Sequence, residues 1–248
     1  MPKTSFNRRK QNTLLIMPLS HHARRVPLHY KQTPVFHCRC SALGQLNTQA
    51  RSRSQQLSET AKTMLVTWYK EQLYNRKKEI HSKYLTKGNK CEDASIDYLN
   101  QLYGTTYKKN EQFYKNSFIH GTPDIISDEI IIDIKNSWDF TTFPLFSKDL
   151  PNKDYMWQLL GYMMLTGRKK GAIIYTLMDL PDEQIEQEYR RTGGKGAVTP
   201  EFKANYKYSD LDSRLRVKRF DVYYNAGLVE QIEEKVIAAR QFLQSLSY

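Results

Sequence analysis

Asp133 and Lys135 stand two residues apart in the run Ile130, Ile131, Ile132, Asp133, Ile134, Lys135. Along a strand that spacing puts both side chains on one face. Asp124 closes the preceding segment Gly121, Thr122, Pro123, Asp124, and the polar connection Ser127, Asp128, Glu129 is of hairpin length, so the fold-back brings Asp124 close to Asp133. Two carboxylates and an ammonium at the edge of an apolar sheet are costly unless they pair with one another or hold a cation. The bland reading is a structural ion pair. Acid-x-Lys recurs at Glu201 to Lys203 and Glu233 to Lys235, but neither has a strand-borne aspartate upstream. Gln158 and Tyr162 are four apart and share a helix face, where Tyr162 could equally be core among Leu159, Met163 and Leu165.

The elements that must position these residues follow from periodicity. Ser58 is placed to cap a helix with Met64, Leu65, Trp68, Gln72 and Leu73 on one face, running to about Ile80. A second helix is expected from about Asn89, with Ala94, Tyr98, Leu99 and Leu102 inward and Gly104 as its stop. Strands are predicted over 105–108, 112–119, 121–126 and 130–134, the last apolar on both faces and therefore central in a sheet. A helix over 154–166 ends at Gly167, and 171–178 reads as another buried strand. Pro181 suits the first turn of a helix to Arg191, 214–224 a last strand, and Leu228, Ile232, Val236, Ala239 and Leu243 a closing amphipathic helix. Helices flanking a small mixed sheet make an α/β or α+β domain.

The series Pro123-Asp124, Asp133, Lys135 resembles the PD-(D/E)XK nuclease superfamily, whose motif lies on a β-hairpin. Gln158 to Tyr162 gives Gln-x-x-x-Tyr on the following helix, similar to the RecB-like branch with its lambda-type and YqaJ-type exonucleases. Gly88 to Glu92 resembles the Gly-x-x-x-Glu helix of those enzymes. The resemblance spans roughly residues 80 to 180 and implies a restriction-endonuclease-like core, a central mixed β-sheet flanked by helices. It implies a magnesium site, with manganese able to substitute, formed by Asp124, Asp133, the carbonyl of Ile134, and Glu92 holding or orienting a second ion or its water. Lys135 would position and deprotonate a water, its pKa lowered by nearby cations, or stabilise charge on the phosphate. Gln158 and Tyr162 would hold DNA. Trp138 could stack on a base or pack on the sheet, and Ser137 could contact a phosphate. The implied activity is a metal-dependent DNA exonuclease at duplex ends in phage or bacterial recombination or repair. An endonuclease of the same fold, or a non-catalytic DNA-binding module, are the competing readings.

Composition bounds the rest. The chain has 248 residues, 40% of them apolar, and a net charge of +12. The longest apolar runs fall far short of the ~20 residues of a membrane span. Residues 1–58 hold ten basic residues and no acid, leaving +2 for 59–248. The first segment reads as a disordered basic arm and the second as the nuclease domain. A solvated tail, a DNA-contacting arm, a targeting peptide and an early start assignment compete for residues 1–58. Cys38 and Cys40 fit unpaired thiols of a loose tail, and three cysteines make no disulfide framework, which favours a reducing compartment. No cysteine follows Cys91, against an iron-sulfur nuclease, and the loop Thr192 to Gly196 lacks Walker spacing. The expected partners are DNA with a free end and, by analogy, a single-strand annealing protein, with assembly as a homo-oligomer left open. The expected place is the cytoplasm of a bacterium or phage-infected host, with organelle targeting open.

Overall fold

The computed structural model describes residues 34–52, 54–79 and 82–246. The chain enters through β1 (Cys38–Arg39), a 3-10 turn (Cys40–Ala42) and the single-turn α1 (Leu43–Leu46). Next come α2 (Glu59–Tyr74) and α3 (Lys83–Tyr103), then β2 (Tyr114–Lys115), β3 (Ile119–Gly121), β4 (Ile125–Ile126) and β5 (Ile131–Asn136). The second half holds α4 (Lys153–Thr166), β6 (Lys170–Thr176), α5 (Asp182–Arg191), α6 (Pro200–Ala204), β7 (Val217–Tyr223) and α7 (Ala226–Ser245).

The main sheet runs β4-β5-β6-β7, with β5 and β6 parallel and both outer strands antiparallel to their neighbours. A parallel pair needs a crossover, and α4 supplies it. One face of β5 and β6 carries Ile131 and Ile173 into a core with Leu159, Leu160 and Met163 of α4 and Ile232, Val236 and Ala239 of α7. The other face carries Ile132, Ile134, Ala172 and Ile174 against Ile96 and Leu99 of α3. Burial on both faces explains the unbroken isoleucines. The expected α/β architecture, a mixed sheet flanked by helices, is the one present, and no helix of the described residues is long and apolar enough to cross a membrane.

The expected helix ends hold in part. Ser58 accepts from Ala61 N at 3.1 Å as the cap of α2, but the helix stops at Asn75, which adopts a left-handed φ of 48°, short of Ile80, which lies outside the described residues. The second helix starts earlier than Asn89, at Lys83, and its buried face is Lys87, Cys91, Ser95, Ile96 and Leu99, while Ala94 and Leu102 are exposed. The strand expected over 105–108 reduces to an isolated bridge between Lys109 and Ile125.

The expected boundary at residue 58 is displaced. The folded unit begins at Val35. Phe36, Cys38, Cys40, Leu43, Leu46 and Leu57 are all in the main core, and β1 pairs in parallel with β3. Cys38 and Cys40 are therefore free thiols in the interior, not in a loose tail, and burial pushes the Cys38 thiol up to about 12. Of the basic arm expected over residues 1–58, residues 1–33 lie outside the described residues. With the boundary at Val35, residues 1–34 carry seven of the basic residues and the folded unit keeps 31 against 26 acids, a charge of +5.

This segment braces α4. A Cβ on Gly161 would sit 2.5 Å from Leu43 Cδ1 and 3.0 Å from Cys40 Sγ, and one on Gly121 would sit 2.8 Å from Tyr162 Cε1. The two glycines thus let the 3-10 turn, β3 and α4 approach at the turn of helix that carries Tyr162. Leu43→Ala is expected to cost about 2–5 kcal/mol in urea unfolding, the range for a fully buried leucine. A residue in a solvated tail would change stability by no more than about 0.5 kcal/mol.

Candidate active site

β4 reaches only Ile131 and Ile132, so the far half of β5, from Asp133 to Asn136, has one edge without a strand partner. Asp124 fills the first position of that edge with its side chain. Its Oδ2 accepts from Ile134 N at 2.7 Å, in place of a ladder bond. In extended backbone a residue's N–H and C=O leave by the same edge, so the Ile134 carbonyl emerges beside Asp124. Asn110 secures the approach, its N–H donating to Asp124 O at 2.7 Å and its amide to Pro123 O at 2.9 Å.

Alternation then puts Asp133 and Lys135 on the α4 face, as their spacing requires. Asp133 is 1% exposed. Lys135 Nζ lies 2.6 Å from Asp133 Oδ2, and Gln158 Nε2 donates to Asp133 Oδ1 at 3.0 Å. Gln158 also accepts from Lys135 Nζ at 3.3 Å and contacts the Tyr162 hydroxyl at 3.0 Å. One amide therefore fixes the carboxylate, the ammonium and the phenol. Lys135 Nζ further lies 4.4 Å from the centroid of the Tyr155 ring, one turn earlier on α4.

The electrostatics follow from two acids sharing a dry edge. The Asp124 carboxyl is pushed up to about 8, first by burial and then by the Asp133 charge, against the pull of Lys135 and the Ile134 N–H. For Lys135, burial favours the neutral amine, but the ion pair with Asp133 outweighs it and holds the ammonium above its ordinary range. Without a cation beside it the group thus stays charged against Asp133.

The donor set fits a hard cation. Asp133 Oδ2 is buried and, apart from the Lys135 ammonium, has no hydrogen-bond partner. Asp124 holds a proton that only a positive charge would displace near neutrality. Asp124, Asp133 and the Ile134 carbonyl are the oxygens that would hold such an ion. Glu92 comes toward the site from α3, which packs on the Ile132 and Ile134 face of β5; its charge adds to the rise of the Asp124 carboxyl, after burial and Asp133, and it pairs with Lys109 at 3.4 Å. Among the described residues no three His, Cys, Asp or Glu side chains form a ready cation cluster.

The four residues expected to contact DNA are all buried. Gln158 and Tyr162 serve the carboxylate and lysine from behind. Trp138 is packed against Leu180 and Ile185, with Lys83 Nζ 4.3 Å over its ring, so no base can stack there. Ser137 is buried with its Oγ unpartnered, too deep for a phosphate. Sequence reading missed Lys87, which is fully buried and donates to the carbonyls of Ser137, Trp138 and Met178 at 2.7, 3.0 and 2.8 Å. Burial pulls its ammonium down to about 8, yet its three acceptors tie α3 to the ends of β5 and β6. It also missed Tyr155, for which a tyrosine one turn before Gln158 was the available signal.

The same fold occurs in solved structures. One described as a phage related exonuclease from Haemophilus somnus 129PT is 24% identical, with a TM-score of 0.71, covering 84% of this chain and 93% of that one. An alkaline exonuclease, LHK-Exo from Laribacter hongkongensis, is 14% identical with a TM-score of 0.60, covering 84% of this chain and 88% of that one, and has also been solved in complex with dAMP. No protein-family model and no curated protein matches the chain. At these identities the likeness shows a shared fold.

A partly buried cation over a ring contributes about 0.5–2 kcal/mol. A double-mutant cycle on unfolding with Lys135→Met and Tyr155→Leu is expected to give a coupling in that range, and the same cycle with Tyr155→Phe, which keeps the ring, almost none. Equal coupling for leucine and phenylalanine would reduce the ring to a spacer.

Proposed function

We propose that the protein is a magnesium-dependent nuclease that removes nucleotides from the ends of duplex DNA. The observation that carries this reading is the convergence of Asp124, Asp133 and Lys135 on the unpaired edge of β5, locked by Gln158. The fold shared with two proteins described as exonucleases supports it. Magnesium, or manganese in its place, would supply positive charge at the scissile phosphate and acidify water beside it.

The chain's own groups divide the remaining work. Asp124 and Asp133, with the Ile134 carbonyl, would hold the ion. Lys135, still an ammonium, turns from Asp133 toward the phosphate and offsets the charge that develops there. Gln158 fixes the carboxylate and the lysine in one geometry, so neither must reorganise when the phosphate arrives. Tyr155 limits where the ammonium can go, and burial of the whole cluster strengthens each of these interactions. A free DNA end as substrate, and a single-strand annealing protein as its recipient partner, belong to the same reading.

The test is linear and covalently closed duplex DNA incubated with magnesium, with manganese and with chelator. Wild type is expected to degrade the linear form only and to stop in chelator, while Asp124→Ala and Lys135→Ala fall by about 10²-fold or more. Intact linear DNA with both metals would overturn the nuclease reading. Cutting of the closed form would replace the exonuclease by an endonuclease.

A further inference from the structure

The small sheet β1-β3-β2 has two unlike faces. Cys38 and Ile119 enter the core, and the next residue of each strand points outward. Register then aligns three basic side chains in one row: Arg39 opposite His120, and His120 opposite Lys115. His37 stands one strand position before the core-facing Cys38, and Arg240 of α7 donates to the carbonyls of Phe36 and Ser117, fixing the base of the row. Arg39 and Lys115 are exposed and His120 is half-buried. Among the described residues, no acid pairs with any of the five.

Like charges at directly opposed cross-strand positions destabilise a sheet. The repulsion is visible in the histidines. Burial lowers His120 first, and Arg39, His37 and Lys115 lower it further; Lys115 and Arg240 act likewise on His37. Some surface cations of this chain have acid partners, as with Lys203 and Lys207 on Asp182 or Lys90 on Glu183. Here three basic side chains stand side by side with no acid among them, a row of contacts that suits an extended anion. Phe113, exposed, leans on His120 at 5.5 Å and adds an apolar surface beside the charges.

Position says which anion. β3 runs straight from His120 through Gly121 into the loop that ends at Asp124, and four residues reach at most ~14 Å. DNA presents one phosphate per ~3.4 Å of axis on each strand, so the row lies within about four nucleotides of the Asp124 edge. We propose that Arg39, His120 and Lys115 form a track for the DNA phosphate backbone flanking the bond to be cut. The track rests on the nuclease reading for its substrate, and it gives a domain of charge only +5 a local anchor.

The experiment measures binding, not cleavage. The full-length protein is titrated onto a labelled linear duplex in chelator across a salt series, with Arg39→Ala, Lys115→Ala, the double variant, and Lys70→Ala on exposed α2 as the equal-charge control. Each track residue removed is expected to lower the slope of log affinity against log salt by about 1, the double by about 2, with Lys70→Ala unchanged. The double variant is also expected to weaken binding at least about tenfold near 0.1 M salt while keeping its thermal midpoint, since it relieves repulsion. A wild-type slope in the double variant, or an equal fall for Lys70→Ala, would overturn the track. Wild type that binds DNA through the track yet leaves it intact with magnesium would sink the nuclease reading alone.

Discussion

Asp133 has almost no contact with water, and the cation that touches it is the ammonium two residues further along the same strand. Asp124 is itself buried and sits close enough to feel its charge, and it keeps a proton to pH of about 8 in consequence. Two buried acids and one lysine leave a shortage of positive charge, and the surrounding structure is arranged around that shortage. β4 stops after two residues so that Asp124 can replace a third strand partner with its carboxylate. α4 places Gln158 to bond acid and lysine together, and Tyr155 and Tyr162 flank that amide on the same helix. Removing one member would leave another buried and unsatisfied, which costs more than the contact itself contributes.

Holding α4 at that depth needs backing from outside the main sheet. The 3-10 turn and α1 pack where Gly121 and Gly161 leave no room for a side chain. The entry segment therefore acts on the site twice: from within as the brace of α4, and on its outer face through Arg39 in the basic row. Lys87 does comparable work on the opposite side, where its three carbonyl acceptors lock the ends of β5 and β6 against α3.

The hairpin, its same-face acid and lysine, α4 with its stop at Gly167, and the buried β6 were legible because each rests on a period or a turn signal within one short window. What escaped has a common cause. β1, the 3-10 turn and α1 are two, three and four residues long, too short to print a period, and their basic composition resembles a tail. Glu92 approaches the Asp124 edge from α3, on the other face of the sheet, and its pairing with Lys109 there is announced by no local pattern. Trp138 follows the lysine closely, yet the chain turns inward there and buries it with Leu180 and Ile185. Motif order conveys which residues share an edge; which face a helix offers depends on packing that no local window contains.

The central claim is that Asp124 and Asp133 await a hard cation, and its most direct measurement is proton release on magnesium binding. Calorimetric titration of the metal-free protein at pH 7, in buffers of different ionisation enthalpy, reads the protons that leave as the ion enters. A carboxyl pair that retains a proton to about pH 8 is expected to release close to one at pH 7 and a small fraction by pH 9, with both binding and release lost in Asp124→Asn. Binding without proton release at pH 7, or magnesium uptake unaffected by Asp124→Asn, would contradict the account.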